Sequence, residues 1–289
     1  MSAKTIVVTG GAGFIGTHLC RSLLTEGHRV ISLDNYFTGS KNNHIDGVEY
    51  FEGSTKDIDK ILMNVQPDLV YHLGEYSRTE ESFNDIPLVW EFNVIGTHAV
   101  LEFCRKHGAK IIYAGSSTKF ADDGAGRDQS PYAWTKASNT DLVHNYGAWF
   151  TLPYAITYFY NVYGPGELST KYGTVIAIFK KMYAEGKPLT VREPGTQRRH
   201  FTHIDDIVRG LMFVGEKGRG DEYGLGSIEA FSILDVAKMF GSEIVMIPNR
   251  AGNRLDTKVD YSKARDEFGW RAEYSLKKYI EEIKQNHGK

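Results

Sequence analysis

VVTGGAGFIGTH, residues 7–18, passes from an apolar run into a helical pattern through Gly10, Gly11, Gly13 and Gly16. Gly11, Gly13 and Gly16 fit G-x-G-x-x-G, and Gly10, Gly13 and Gly16 fit G-x-x-G-x-x-G. Glycines let the backbone close on a pyrophosphate, whose charge then meets the positive N-terminus of the helix. Any tight strand-to-helix turn favours glycine, so the motif needs support from its flanks. The strand before it, the helix after it and Asp34 all supply that support. Asp34 ends a second apolar run 18 residues beyond Gly16, and an acid about 20 residues on is where a ribose 2′-hydroxyl is bound. The stretch therefore predicts a dinucleotide site. A carboxylate at that place repels a 2′-phosphate, so NAD is expected over NADP.

Outward from this turn the pattern repeats. TIVV (5–8), RVISL (29–33), VEYF (48–51), DLVYHL (68–73), KIIYA (110–114) and YAITYF (154–159) read as strands. They are apolar without strict alternation, which suits strands covered on both faces of a parallel sheet. Helical patterns lie between them, for example 14–26 before Gly27 and 93–107 before Gly108, each glycine standing where a left-handed cap ends a helix. The alternation predicts an α/β protein with a Rossmann-type, doubly wound parallel sheet and right-handed crossovers. After about residue 160 the pattern loosens, with Gly and Pro at 164–166 and 194–195. Two interleaved domains are expected. Residues 1–160 would bind the dinucleotide. Residues 161–289 would form a smaller α/β substrate-binding domain over the sheet's carboxyl edge, with 200–225 packing back onto the first domain.

Composition narrows the function classes. Hydrophobic content of 41% with 24% charged residues suits a soluble globular chain. The longest apolar runs are of strand length, far below the ~20 residues that span a bilayer, so no membrane role is expected. The N-terminal MSAK leads straight into a strand pattern and leaves no room for a secretory signal. Cys20 and Cys104 make no disulfide framework and read as reduced helix residues of a cytoplasmic protein. A net charge of −2 without a long basic block argues against nucleic acid as a partner.

Three Tyr-x-x-x-Lys pairs occur: Tyr132–Lys136, Tyr183–Lys187 and Tyr274–Lys278. Four-residue spacing puts both side chains on one helix face. Tyr183–Lys187 falls at a helix end marked by Gly186 and Pro188, and Tyr274–Lys278 at the start of a charged helix near the C-terminus, so both read as surface pairs. Tyr132–Lys136 follows the fifth strand, on a helix whose start should face the nicotinamide. Tyrosine ionises near 10 and is a poor base at neutral pH; bringing such a group near 7 takes roughly 4 kcal/mol. A lysine ammonium one turn away, with the positive nicotinamide ring, supplies that preference. Ser116, ending the fifth strand, can bond the same substrate oxygen. Ser116, Tyr132 and Lys136 are the expected catalytic set.

With TGGAGFIG, Ser116, YAWTK and YFYNVYGP (158–165), the chain resembles the extended short-chain dehydrogenases/reductases, and within them the nucleotide-sugar epimerase/dehydratase group, most closely the UDP-hexose 4-epimerases. The resemblance runs on through NVIGTHAVLE (93–102), GTQRRHFTHIDD (195–206), NRAGN (249–253) and DYSKARDEFGW (260–270). It implies that Gly10, Gly13, Phe14, Ile15, Gly16, Asp34, Asn35, Ser54, Thr55, Leu73, Gly74, Asn93, Tyr132, Lys136 and Phe159 serve NAD. Leu73 and Gly74 would border the cofactor, and Asn93 would order the lysine side of the site. Ser116, Ser117, Asn161, Arg199 and Arg250 would contact a nucleotide-diphosphate sugar, the arginine forks suiting phosphate oxygens. A homodimer through helices near 93–107 and 131–146 is also implied.

The chain departs from the family pattern at several places. Ser54 stands where an Asp is usual near the adenine, His200 replaces an Asp after Arg199, and Asn253 replaces one after RAG. Tyr158 takes the place of a frequent Arg, and the connection from Ser116 to Tyr132 is short. His200, His203, Asp205 and Asp206 have the chemistry of metal ligands, but they fall in the segment that the resemblance reads as a phosphate-binding turn and helix start. No metal is expected. His72 reads as packed near the sheet end. The expected activity is NAD-dependent 4-epimerisation of a nucleotide-sugar through a transient 4-keto sugar. A 4,6-dehydratase or a UDP-uronate decarboxylase is the alternative, and a non-catalytic NAD sensor comes third.

Overall fold

The computed structural model describes residues 2–120, 126–249 and 259–287. Thirteen strands are formed among them: β1 (Thr5–Thr9), β2 (Arg29–Asp34), β3 (Glu49–Glu52), β4 (Leu69–His72), β5 (Lys110–Ser116), β6 (Tyr154–Phe159), β7 (Val162–Tyr163), β8 (Leu189–Arg192), β9 (Arg198–His200), β10 (Thr202–His203), β11 (Gly220–Leu225), β12 (Ala230–Ser232) and β13 (Ile244–Ile247). The helices are α1 (Phe14–Thr25), α2 (Ile58–Ile61), α3 (Ile86–Val89), α4 (Gly96–His107), α5 (Pro131–Phe150), α6 (Val175–Ala184), α7 (Ile204–Lys217), α8 (Ile233–Phe240), α9 (Ser262–Phe268) and α10 (Leu276–His287).

Seven strands make one all-parallel sheet in the order β11-β6-β5-β4-β1-β2-β3. The order reverses between β1 and β4, and such a switch point opens a crevice at the carboxyl ends of the strands. Alternate residues of one strand enter opposite cores. Val7, Ile31, Val70 and Ile111 face the side covered by α4 and α5, with Val100, Leu101, Val143 and Tyr146. Ile6, Val8, Val30 and Ile112 face the side covered by α1 and α7, with Leu19, Leu23, Ile204 and Leu211. Each such side chain, buried fully, contributes about 1.5–3 kcal/mol. Both faces of the sheet are therefore buried under helices.

Gly27 and Gly108 follow α1 and α4 with φ of +82° and +67°, the left-handed stops expected for them. The helix expected over 93–107 begins differently. Trp90–Ile95 form a wider π turn that runs directly into α4 and carries the buried Asn93. After β6 the chain builds two-stranded sheets, β7 with β10, β9 with β12 and β8 with β13. These surround a third core of Tyr163, Ile176, Phe179, Val191, Val236, Phe240 and Ile280. α7 and β11 return to the large sheet, where β11 pairs with β6. No helix among the described residues is long and apolar enough to cross a membrane.

Candidate active site

The glycine turn lies at the carboxyl end of β1. Gly10 N–H donates to Leu33 O at 2.8 Å and Gly13 N–H to Gly10 O at 3.1 Å, and Thr17 N–H then starts the ladder of α1 on Gly13 O at 3.0 Å. A Cβ on Gly16 would fall 2.0 Å from Gly10 O, and Gly10 itself has φ +72°. Only glycine fits either place, and the bare backbone facing the crevice fits a pyrophosphate. Asp34 at the end of β2 is buried, its carboxylate accepting from Ala12 N–H at 2.9 Å and Tyr36 N–H at 2.8 Å. Burial raises its carboxyl above the usual range, against the opposing pull of those two N–H groups. Asp34 thus braces the turn from the position where a ribose would lie.

Thr9 Oγ1 ties β1 to the chain beyond β4, accepting from Leu73 N–H at 3.1 Å and Gly74 N–H at 2.9 Å and bonding His72 Nδ1 at 2.8 Å. His72 is fully buried, and desolvation takes its imidazole down to about 4. It bridges Thr9 to Thr97 Oγ1 (2.9 Å) as a structural link, packed at the sheet end.

Ser130 caps α5 by accepting from Ala133 N–H at 3.0 Å, and Pro131 occupies the first turn. This start turns Tyr132 and Lys136 toward the end of β5. Tyr132 O–H donates to Ser116 Oγ at 3.2 Å, and Thr118 O–H donates to the same oxygen at 2.9 Å. The buried Lys136 ammonium donates to Ala114 O and to the Glu75 carboxylate, and lies 4.4 Å from the Tyr113 ring centroid. Asn93 ties the loop after β4 to α5: its Oδ1 accepts from Tyr76 N–H at 2.7 Å and its Nδ2 donates to Thr135 Oγ1 at 2.9 Å.

One cavity of about 660 Å³ joins these parts, a size suited to a cofactor with its substrate. Of the residues expected from sequence, it is lined by Gly10, Gly13, Phe14, Ile15, Gly16, Asp34, Asn35, Thr55, Leu73, Gly74, Ser116, Ser117, Tyr132, Lys136, Phe159, Asn161 and Arg199. Asn93 is buried behind this wall. Ser54 also stays out of it, its Oγ buried without a hydrogen-bond partner. Arg250, with Asn253, lies outside the described residues. Asn161 takes a left-handed backbone (φ +34°), and its Nδ2 donates to His200 O at 3.2 Å. Tyr158 points into the core, donating to Asp221 Oδ1 at 2.7 Å.

The histidine–aspartate segment has other work. His200 Nδ1 meets Ser227 O at 2.9 Å. His203 caps α7, accepting from Asp205 N–H at 3.3 Å. Asp206 is buried and receives Glu273 N–H and Tyr274 N–H, each at 3.0 Å, and Arg209 at 2.7 Å. The two other Tyr–Lys pairs lie elsewhere: Tyr183 packs on Phe240 with Lys187 bound to Glu185, and the half-exposed Tyr274 stacks on His203.

Three cavity residues carry charge that sequence reading passed over: Glu75, Arg78 and Arg192. Glu75 sits beside Lys136. Arg78 donates to Tyr172 O and, at 2.9 Å, to Ser77 O. Burial lowers the Arg78 guanidinium from its ordinary value, while the nearby Tyr132 opposes that fall. The available signal for Glu75 was its place directly after Leu73–Gly74, the pair expected to border the cofactor.

Residues 6–226 match the NAD dependent epimerase/dehydratase family. The chain belongs to that family. It is 31% identical to UDP-glucuronic acid decarboxylase 6 of Arabidopsis thaliana, over 96% of this chain and 86% of that protein. Among solved structures it resembles UDP-glucose 4-epimerase of Thermotoga maritima, with UDP-glucose, at 26% identity and a TM-score of 0.92, covering 97% of both chains. It also resembles UDP-glucuronic acid 4-epimerase of Bacillus cereus, in complex with UDP-glucuronic acid and NAD, at 28% identity and a TM-score of 0.88, over 98% of this chain and 99% of that one. Family membership makes the chain a nucleotide-sugar enzyme of the epimerase, dehydratase and decarboxylase group, with NAD as cofactor. The glycine turn, the braced Asp34 and the Tyr132–Lys136 pair fit that cofactor.

Proposed function

We propose that the protein is a nucleotide-sugar 4-epimerase. The observation that carries this reading is the chemistry around Ser116. Among the described residues lining the cavity, the only carboxylates are Asp34, at the ribose end, and Glu75, held by Lys136. Beside Ser116 stand Ser117 and Thr118, hydroxyls that are poor acids and bases at neutral pH. Loss of water across C5 and C6 needs a dedicated acid and base within hydrogen-bond reach; epimerisation at C4 needs neither. Asp122 and Asp123 of the short loop lie outside the described residues.

Bound NAD supplies a reversible hydride acceptor beside the end of β5. Tyr132 takes the proton of the sugar 4-hydroxyl at its phenol oxygen and later returns it. Ser116 Oγ, already aligned with Tyr132 by their 3.2 Å bond, holds the same oxygen. Lys136, with three donor hydrogens on its ammonium, secures the cofactor ribose. Asn161 and Arg199 hold the diphosphate while the keto sugar turns its other face, and that grip keeps the intermediate from leaving. Nucleotide-sugars of known stereochemistry incubated in D₂O, with products read by NMR and mass, test this. The expected product has unchanged mass and no deuterium at C5, and NADH absorbance does not climb steadily. A product lighter by water or carbon dioxide, or labelled at C5, refutes it.

Arg78 favours a second, narrower reading in which the sugar is a uronate. Its guanidinium lines the cavity near Tyr132 and has no carboxylate within ion-pair distance among the described residues. A planar fork of donors at that place suits a sugar carboxylate. Turnover of UDP-glucuronate at least tenfold better than UDP-glucose, lost in Arg78→Met, supports this reading; equal turnover removes it.

The working form we propose is a homodimer. Ile86, Trp90, Ile95, Trp134, Trp149 and Phe150, on α3, the π turn and α5, are large exposed apolar groups, and the Trp90 and Trp134 rings stack at 5.9 Å. Light scattering on Trp134→Glu should report a monomer.

A further inference from the structure

Glu75 is the most completely engaged carboxylate of the cavity. Its Oε2 accepts from the Lys136 ammonium. Its Oε1 accepts from Thr97 Oγ1 and Asn139 Nδ2, both at 2.9 Å, and from Tyr113 O–H at 3.2 Å. The two side chains are 4% and 5% exposed, so the pair is closed off from water while still lining the cofactor cavity. The four contacts come from three elements: Tyr113 on β5, Thr97 on α4, Asn139 and Lys136 on α5. Among the described residues, the network also takes in the titratable His72, bonded to Thr97 and neutral near pH 7.

A buried ammonium alone would repel any cation entering beside it, because charge is poorly screened there. Oxidised nicotinamide carries a positive charge and reduced nicotinamide does not. We propose that Glu75, by neutralising Lys136, sets the charge balance of the cofactor site so that it holds NAD⁺ in preference to NADH. Glu75 is thus a positioning residue with an electrostatic task. It fixes Lys136 in place and removes the penalty that the lysine would impose on the oxidised ring. In an epimerase this keeps the resting enzyme charged with the form that starts each turnover.

The inference rests on reading the Lys136 end of the cavity as the nicotinamide end. Calorimetric titration of NAD⁺ and of NADH into cofactor-stripped protein tests both. In Glu75→Gln, which keeps the size and an acceptor, the ratio of NAD⁺ to NADH affinity should fall at least tenfold. In Lys136→Met the ratio should rise at least tenfold, since the carboxylate is then uncompensated. Glu75→Asp should keep the ratio within threefold. Equal changes in both affinities in Glu75→Gln, or an unchanged ratio in Lys136→Met, overturn the inference and leave the site reading standing. Wild-type protein that binds neither cofactor overturns both. Should Glu75→Gln not fold, Lys136→Met alone decides the sign.

Discussion

Replacing Lys136 by methionine isolates what the buried ion pair does for stability. Methionine fills most of the lysine stem's volume, so the change removes charge and hydrogen bonds with little loss of packing. Glu75 is left as a carboxylate 4% exposed, without its counterion. Removing one partner of a buried pair costs about 3–5 kcal/mol, mainly because the other charge is stranded. Here the stranded carboxylate keeps three donors, from Tyr113, Thr97 and Asn139. The expected loss is therefore at the lower end, about 3 kcal/mol, which for a chain this long lowers the melting temperature by roughly 6 °C.

Glu75→Gln alone leaves the ammonium without a counterion, held by neutral acceptors such as Ala114 O, so a loss of similar size, about 3 kcal/mol, follows. In the double variant neither charge is stranded. The two single losses should then overlap, leaving a coupling of about 2 kcal/mol in a double-mutant cycle. Urea unfolding of all four proteins, followed by tryptophan fluorescence, measures this from the midpoints and slopes. Single losses that add to within ~0.5 kcal/mol would refute the reasoning, since residues in a shared network do not behave independently.

Tyr132→Phe should abolish turnover with cofactor affinity nearly unchanged, because only the proton-transfer group is lost; activity above a tenth of wild type in a standard product assay places the base elsewhere. Asp34 should make NAD bind at least tenfold more tightly than NADP, roughly 1.4 kcal/mol, in direct titrations. Glu167, bound by Gly164 N–H at 2.8 Å and by Thr174, is raised by burial from about 4.5 to about 7. The folded state then holds a proton that the unfolded chain has released, so stability is highest below pH 4.5 and falls by about 3 kcal/mol as pH rises through 7. Urea unfolding of Glu167→Gln across pH 5–8 should show that fall removed.

What could be read from the chain alone was what is local. The β1–turn–α1 unit, the strand runs and the left-handed stops at Gly27 and Gly108 depend on neighbours within a few residues. So does the Tyr132–Lys136 pair, fixed by one helical turn after a capped start. Glu75 was not legible because its partner is 61 residues away and meets it only once β4, β5 and α5 are side by side. Arg78 reaches Tyr172, 94 residues on, for the same reason. β11 was missed because GDEYGL opens with a glycine and two acids; its apolar content, Tyr223 and Leu225, is fully buried, and Glu222 sits at φ +79° where the register with β6 shifts. A strand recruited to an edge by its last residues carries little periodicity of its own.

The distribution of polar groups around the cavity bears on how an epimerase would work in it. The chemistry-bearing groups of β4, β5 and α5 are locked to one another: Ser116 to Tyr132 and Thr118, Lys136 to Glu75 and Ala114. The rest of the cavity lining includes the apolar Val175, Ile176, Phe179, Phe201 and Ile233, together with Arg192, Gln197 and Arg199. A sugar that must present both faces of C4 to one fixed acceptor cannot be gripped strongly at its ring, since each ring hydrogen bond would have to break in mid-turnover. Apolar walls impose little such cost, and polar groups are better spent on the diphosphate, which does not rotate. A locked catalytic network together with apolar lining residues therefore suits a reaction whose only mobile part is the sugar.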